Sequence, residues 1–161
     1  MDYLWSPWRY QYVSKATQAA GCIFCVKSAE DRDQENHIVH RGAHNFIILN
    51  LYPYSTGHLM VAPYDHIATL EASPEPVLIE MIQLVRLTEI HLRAVYNPHG
   101  FNLGMNLGES AGAGVPGHIH MHVLPRWSGD TNFMTTVAET RVLPETAELT
   151  FEKLRKAFHQ K

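Results

Sequence analysis

The sequence predicts an α+β domain in which an antiparallel sheet carries one long helix between its middle strands. Three observations lead there. Residues 75–96 place Val77, Leu78, Met81, Ile82, Val85, Ile90 and Leu92 at helical spacing, with Leu84 and Leu87 widening the stripe into one broad buried face. Short runs rich in β-branched and aromatic residues flank that segment on both sides. The run His118–Leu124 alternates histidine with an apolar residue, which is the period of a strand.

The elements follow in chain order. An aromatic arm to Ala20 holds Tyr3, Trp5, Trp8, Tyr10 and Tyr12, and Ser6-Pro7 argues against a long helix there. Such an arm packs on the domain or on a second subunit. Residues 26–36 are dense in charge and read as exposed helix or loop. Ile38-Val39 reads as a short strand and Phe46–Leu51 as a better one. Pro53-Tyr54-Ser55-Thr56-Gly57 is a turn, and Leu59–Ala62 returns as a strand, so the two make a hairpin-like pair. Asn97-Pro98-His99-Gly100 stops the long helix. Phe101–Leu107 is a strand, Gly108–Gly117 a glycine-rich loop, and His118–Leu124 the last clear strand, closed by Pro125. Residues 145–159 read as a helix with Leu149 and Leu154 among charges. No internal repeat or low-complexity tract interrupts the chain. Its 161 residues suit one domain over 1–161, with the arm at 1–20 and a helix-bearing extension at 135–161.

Charge and composition narrow the function. A net charge of -3 argues against binding nucleic-acid polymers, which usually takes a basic stripe. No run of 18 apolar residues is present, so no membrane helix is expected. The first fifteen residues lack an apolar core and a small-residue cleavage site, so a cytoplasmic protein is expected. The outlier is histidine, with eleven residues. His37, His40, His44, His91, His99 and His159 read as surface residues. His58, after a glycine at a strand start, fits a structural role as well as a functional one.

The histidine strand is the most informative segment. His118, His120 and His122 share one face, roughly 6–7 Å apart at a rise of about 3.3 Å per residue, while Ile119, Met121 and Val123 face a core. Burying three unpaired imidazoles is costly, so a merely structural row is the weaker reading. A three-histidine metal site and a catalytic row both stay open on alternation alone. The loop Gly108–Gly117 joins this row directly, and glycines let backbone N–H groups approach an anion closely. Together they suggest phosphate held beside a nucleophile. Cys22-Ile23-Phe24-Cys25 has three readings: half a zinc site, a free thiol pair or a disulfide, the last disfavoured in a reducing compartment.

The motif His-φ-His-φ-His-φ-φ, with φ apolar, resembles the signature of the histidine-triad (HIT) superfamily of nucleotide hydrolases and transferases at all seven positions. Phe46–Asn50 and Gly57–Pro63 look like that family's ribose-binding strand and the strand after it. Leu124–Met134 and the arm segment Leu4–Arg9 resemble the branch containing bacterial diadenosine tetraphosphate phosphorylases. The resemblance covers residues 4–134. It implies a HIT-like domain that pairs into a homodimer through the long helix and a central strand. It also implies a nucleotidyltransferase cleaving diadenosine polyphosphates through a nucleotidyl-histidine intermediate. His120 becomes the nucleophile and His122 the group on the α-phosphate. Asn50 falls at the ribose position, and Asn106, Gly112 and Gly114 fall beside the phosphates. Water as acceptor gives hydrolysis; orthophosphate gives phosphorolysis. The competing readings are a hydrolase of dinucleoside polyphosphates or nucleoside phosphoramidates, and a nucleotide-binding zinc module without turnover. One departure stands out. Many members carry Gln-Ser or Gln-Thr shortly before the triad, where this chain has Gly114-Val115-Pro116, so backbone N–H groups must replace those side chains. In zinc-bearing relatives a histidine after the second strand and the first triad histidine complete the metal site. Those positions are His66 and His118, which with Cys22 and Cys25 imply structural zinc. Arg126 and Asp130, just past the triad, are placed to line a polyphosphate path. Trp5, Trp8 and Trp127 have the chemistry to stack on a base, although packing or a subunit contact is the stronger reading for each.

Overall fold

The computed structural model describes residues 21–131, 135 and 143–160. The aromatic arm, with Trp5 and Trp8, and Phe133-Met134 lie outside the described residues. Short helices α1 (Ile23–Ala29) and α2 (Asp33–Asn36) precede strands β1 (Ile38–Arg41), β2 (Asn45–Leu49) and β3 (Leu59–Pro63). The long helix α3 (Glu75–Tyr96) leads to β4 (Gly100–Gly104), a short 3-10 turn (Glu109–Ala111), β5 (Met121–Arg126) and α4 (Ala147–His159). The five strands form one antiparallel sheet in the order β1-β2-β3-β5-β4. The expected α+β architecture, with the long helix between the middle strands, is what forms.

Local chemistry sets the ends of the helices. Asn97 takes the left-handed conformation, φ 44°, and its N–H closes on Arg93 O, which ends α3. Thr146 caps α4 by accepting from Leu149 N–H. Glu80 on α3 accepts from the backbone N–H groups of Ala43, His44 and Asn45 at 2.6–2.7 Å, which fastens the β1–β2 turn to the helix. These donors favour the carboxylate and hold its pKa below the ordinary value against the cost of burial.

The sheet has two chemically different faces. Ile47, Leu49, Leu59, Val61 and Val123 point to the face covered by α3 and α4, where Met81, Leu84, Val85, Leu92, Phe151 and Leu154 complete the main core. Phe46, Ile48 and Ala62 point the other way, onto Phe24 of α1. Register carries this division across the strands: Met60 pairs with His122 and Leu59 with Val123. The period of two therefore sends the histidines to the α1 face and their apolar neighbours to the main core.

Three expectations need correction. Ile82 and Ile90 are exposed, at 59% and 47%, although the stripe reading counted them among buried residues. A single sheet contacts only one side of a helix, so the buried set narrows to Val77, Met81, Leu84, Val85, Thr88 and Leu92. The last strand starts at Met121, and Pro125 lies inside it instead of closing it. His118, Ile119 and His120 precede the ladder and are held by other bonds, among them Ile119 N–H to Ile67 O at 2.7 Å. Strand β4 ends at Gly104, short of Leu107.

Gly57 shows why the turn before β3 needs glycine. Its φ is +78°, and a Cβ there would meet Leu92 at 3.1 Å and Tyr96 at 3.2 Å.

Candidate active site and metal centre

His118, His120 and His122 line up on the α1 face, and His118 and His120 are almost fully buried. Their hydrogen-bond partners fix which nitrogen of each ring carries the proton. His118 Nε2 lies 2.9 Å from Pro63 O. A carbonyl only accepts, so Nε2 carries the hydrogen and Nδ1 presents a lone pair. His120 Nδ1 lies 2.9 Å from the carbonyl of His118. Its Nδ1 therefore donates, and Nε2 is left as a nucleophilic lone pair. Burial lowers the pKa of His120, against the opposing effect of that backbone bond, so the neutral ring is favoured near neutrality.

His122 is set by a longer chain. The backbone N–H of Tyr54 donates to His58 Nδ1 at 3.2 Å, and the Asn50 amide nitrogen lies 3.2 Å from the same atom. His58 Nδ1 is thus an acceptor, and His58 Nε2 donates to His122 Nδ1 at 2.9 Å. His122 then carries its own hydrogen on Nε2, as a donor. Burial and then repulsion from His120 push its pKa down to about 4. The rings of His120 and His122 stand edge to face with centroids 4.9 Å apart.

Phe24 walls His120. It sits between the two cysteines on α1, is 3% exposed, and lies 4.8 Å from the His120 ring and 5.1 Å from His118. Sequence reasoning passed over this residue, although its place inside Cys-x-x-Cys was a signal. His58, there balanced between two roles, is fully buried and in the chain to His122.

Other anticipated residues behave differently. Asn50 is buried, and its Oδ1 accepts from Tyr52 N–H at 2.9 Å. It braces the turn that carries His58. Asn106 reaches into the glycine loop, with its amide 3.5 Å from Gly112 O. Gly112 is left-handed at φ 84°, and its N–H closes the short turn on Glu109 O, so it holds the loop's shape and offers no open donor to phosphate. Gly114 lies in the same loop, between that turn and His118. The surface reading holds for His44, His99 and His159, whereas His91 stacks on Phe158 at 4.2 Å.

At the other end of the row, Cys22, Cys25, His66 and His118 bring four donor atoms within 4.8 Å of one another. Cys22 Sγ lies 3.3 Å from His118 Nδ1, and Cys25 Sγ lies 3.4 Å from His66 Nδ1 and 3.5 Å from His118 Nδ1. Four N and S ligands held tetrahedrally at zinc distances sit roughly 3.3–3.8 Å apart, and the three sulfur–nitrogen separations fall in that range, so the chemistry of the donor set fits that ion. The tautomer fits as well: His118 turns its lone pair to the cysteines because its other nitrogen is bonded to Pro63 O, the usual outer support of a ligating imidazole. Gly117 makes room, since a Cβ there would lie 3.1 Å from His66 Nε2. Both cysteines are free thiols, which removes the disulfide reading. Without a cation, burial and the neighbouring Cys22 raise the Cys25 thiol pKa.

A buried imidazole with its proton held on Nδ1, beside a second imidazole that donates, is an arrangement suited to the class of enzymes that use covalent histidine catalysis. The comparisons with known proteins agree with that class. Residues 31–129 match the HIT domain. The chain is 38% identical over 152 residues to an AP-4-A phosphorylase of Mycobacterium tuberculosis, covering 88% of this chain and 76% of that protein. Its fold resembles a Zn-bound histidine triad family protein from Mycobacterium smegmatis, with TM-score 0.68 and 26% identity over 88% of this chain and 94% of that one. It also resembles a hypothetical histidine triad nucleotide-binding protein from Sulfolobus tokodaii, with TM-score 0.68 and 30% identity over 84% and 91% of the two chains. The chain belongs to the HIT family.

Proposed function

We propose that this chain is a nucleotidyltransferase that cleaves diadenosine tetraphosphate and related dinucleoside polyphosphates by phosphorolysis. The observation that carries the reading is the lock on His120: Nδ1 is bonded to the His118 carbonyl, and Nε2 is free to attack. His120 Nε2 attacks the α-phosphorus, the N–P bond forms, and the anhydride P–O bond breaks. ATP departs from diadenosine tetraphosphate as an anion and needs no proton. His122 Nε2–H donates to the charged oxygens around the phosphorus, and positioning supplies much of the rest. Orthophosphate then attacks the adenylyl-histidine, releases ADP and restores His120. Similarity to the mycobacterial phosphorylase favours phosphate over water as the acceptor.

Asn50 and Asn106 remain the candidates for ribose and phosphate. Each meets a ligand only by exchanging its present bond, to Tyr52 N–H and Gly112 O respectively. Gly114 is the loop glycine we assign to the phosphates. Cys22, Cys25, His66 and His118 would hold zinc, which when bound supplies a tetrahedral crosslink between α1 and the start of the histidine row. Thiolate ligands suit a reducing compartment, and no helix among the described residues is long and apolar enough to cross a membrane. Both favour the cytoplasm. Homodimer formation is part of the same reading: Ile79, Ile82 and Ile90 form an exposed apolar row on α3, and Leu103 is 51% exposed on the edge strand β4. Light scattering on the eluting protein should give twice the chain mass.

Incubation with diadenosine tetraphosphate, with and without orthophosphate, tests the reaction. ADP plus ATP formed only with phosphate is the expected result. AMP plus ATP without phosphate makes the chain a hydrolase, and no product with retained nucleotide binding makes it a binding module.

A further inference from the structure

The hydrogen-bond chain behind His122 ends on backbone groups that donate and never accept. His122 Nδ1 accepts from His58 Nε2, and His58 Nδ1 accepts from Tyr54 N–H. Protonating His122 on Nδ1 would turn His58 Nε2 into an acceptor and move the His58 hydrogen to Nδ1. That hydrogen would point at Tyr54 N–H, 3.2 Å away, so two donors would meet. Asn50 offers no relief. Its amide nitrogen already lies 3.2 Å from His58 Nδ1, and its oxygen cannot turn there without giving up Tyr52 N–H at 2.9 Å. His58 is fully buried, which makes a lost partner costly. Two backbone N–H groups, of Tyr52 and Tyr54, thus fix the polarity of the whole chain.

The same polarity limits what His122 can give. Full loss of its Nε2 hydrogen would leave an imidazolate unless His58 passed a hydrogen to Nδ1. His58 would then need one in turn, and a backbone N–H does not release its proton. His122 can therefore donate a hydrogen bond but cannot hand over the proton. Burial and the neighbouring His120 also oppose a second proton on the ring, with a pKa pushed down to about 4. His120 stands beside it with ring centroids 4.9 Å apart, and holds its own hydrogen on Nδ1 against the His118 carbonyl. The segment just before the row, Gly114-Val115-Pro116, has no side chain that carries a transferable proton.

We propose that the backbone N–H groups of Tyr52 and Tyr54, acting through Asn50 and His58, keep His122 a neutral hydrogen-bond donor, so that the site cleaves only bonds whose leaving group departs as a weakly basic anion. The inference rests on the reaction proposed above and narrows its substrate class to anhydrides of a nucleotide with strong acids. When His120 Nε2 forms the N–P bond, the electron pair of the breaking P–O bond stays on the departing oxygen. An amine leaves a phosphoramidate only with a proton on its nitrogen, and an alcohol needs one on its oxygen. Nucleoside phosphoramidates and alkyl esters of nucleotides therefore fall outside the class. His58 is the positioning residue of this selection.

Two measurements on the full chain test this. The first compares the 4-nitrophenyl ester of adenosine 5′-phosphate with its 4-nitroanilide, which carry the same groups and differ in the departing atom. With orthophosphate present, kcat/KM for the anilide should be lower by about 10³-fold or more, within the range that general-acid help would otherwise recover. The second uses ¹⁵N NMR of histidine-labelled protein with the α,β-methylene analogue of ATP bound. His122 should keep the neutral pattern, with hydrogen on Nε2, at about pH 6, below the ordinary histidine value. In His58→Leu its protonation midpoint should rise, a change that lost packing alone does not produce. Anilide turnover within about tenfold of the ester, or a His122 ring protonated beside the bound analogue in wild type, overturns the proposal. A His122 that stays neutral in a chain that cleaves neither the ester nor diadenosine tetraphosphate overturns the reaction instead and leaves the hold on His122 standing.

Discussion

His118 and His122 are the same residue type, on the same face, each two positions from His120, and they end up with opposite chemistry. His118 gives its Nε2 hydrogen to Pro63 O and turns a lone pair toward two cysteines. His122 receives a hydrogen from His58 on Nδ1 and turns a donor outward. One end of the row presents a lone pair, the chemistry that suits a cation, and the other a donor, the chemistry that suits an anion. The difference comes entirely from the groups they meet, the carbonyl that ends β3 in one case and a histidine just before β3 in the other. Between them, His120 takes its tautomer from the backbone of His118, so the cysteine end of the row and Nε2 of His120 are linked through one peptide unit.

The sharpest way to probe this contrast starts at its centre. His120→Ala should cut turnover of diadenosine tetraphosphate by about 10⁴-fold or more, as loss of a covalent nucleophile does, with circular dichroism unchanged. Activity near wild type would remove the nucleophile assignment.

Breaking the metal end should act on stability and metal content. Cys25→Ser should bring zinc, measured by elemental analysis, from about one equivalent to well below half. The melting temperature should fall by roughly 10 °C, corresponding to a loss of about 3 kcal/mol in a chain of this size. Wild-type protein purified gently without zinc would end the Cys2His2 reading.

Breaking the other end should act on rate and spare metal. His58→Leu should lower kcat about 10–100-fold with zinc unchanged, because His122 loses the donor that fixes its tautomer. His58→Gln, which keeps a donor, should recover part of the loss. If both variants fall equally, the role of His58 is packing.

The smallest effect is on pH dependence. The pKa of His122, about 4, lies below its ordinary 6.5, so folding favours the neutral ring. Its stabilising contribution is complete above 6.5 and is lost as pH falls through 6.5 toward 4, where the unfolded chain binds the extra proton. Denaturant midpoints measured across that window should fall less steeply in His122→Asn than in wild type. Identical slopes would show that His122 does not titrate as described.

Much of the fold was legible in the sequence because periodicity is local. The helix from 75 to 96 matched its apolar repeat and its stop at Asn97. Periodicity could not say how wide the buried face is, which is why Ile82 and Ile90 were misplaced. Nor could it say where pairing ends, since His118 and His120 look like strand residues but lie ahead of the ladder, where His118 Nε2 donates to Pro63 O and Ile119 N–H donates to Ile67 O. The candidate metal ligands were accessible through family resemblance, but the approach of Cys22 to His118 across 96 positions is a tertiary fact.

The sequence by itself determined the alternation of the triad, its placement on one face opposite an apolar set, and the two residue types, cysteine and histidine, able to ligate zinc. These follow from side-chain chemistry and a backbone period that needs no partner. Only the tertiary structure decided which nitrogen of each imidazole is free. It also placed Phe24 against His120, put His58 behind His122, and formed a cavity beside Trp127. Tautomers are set by the donors and acceptors a ring meets, and cavities by the elements that fail to fill them; both depend on groups far apart in the chain.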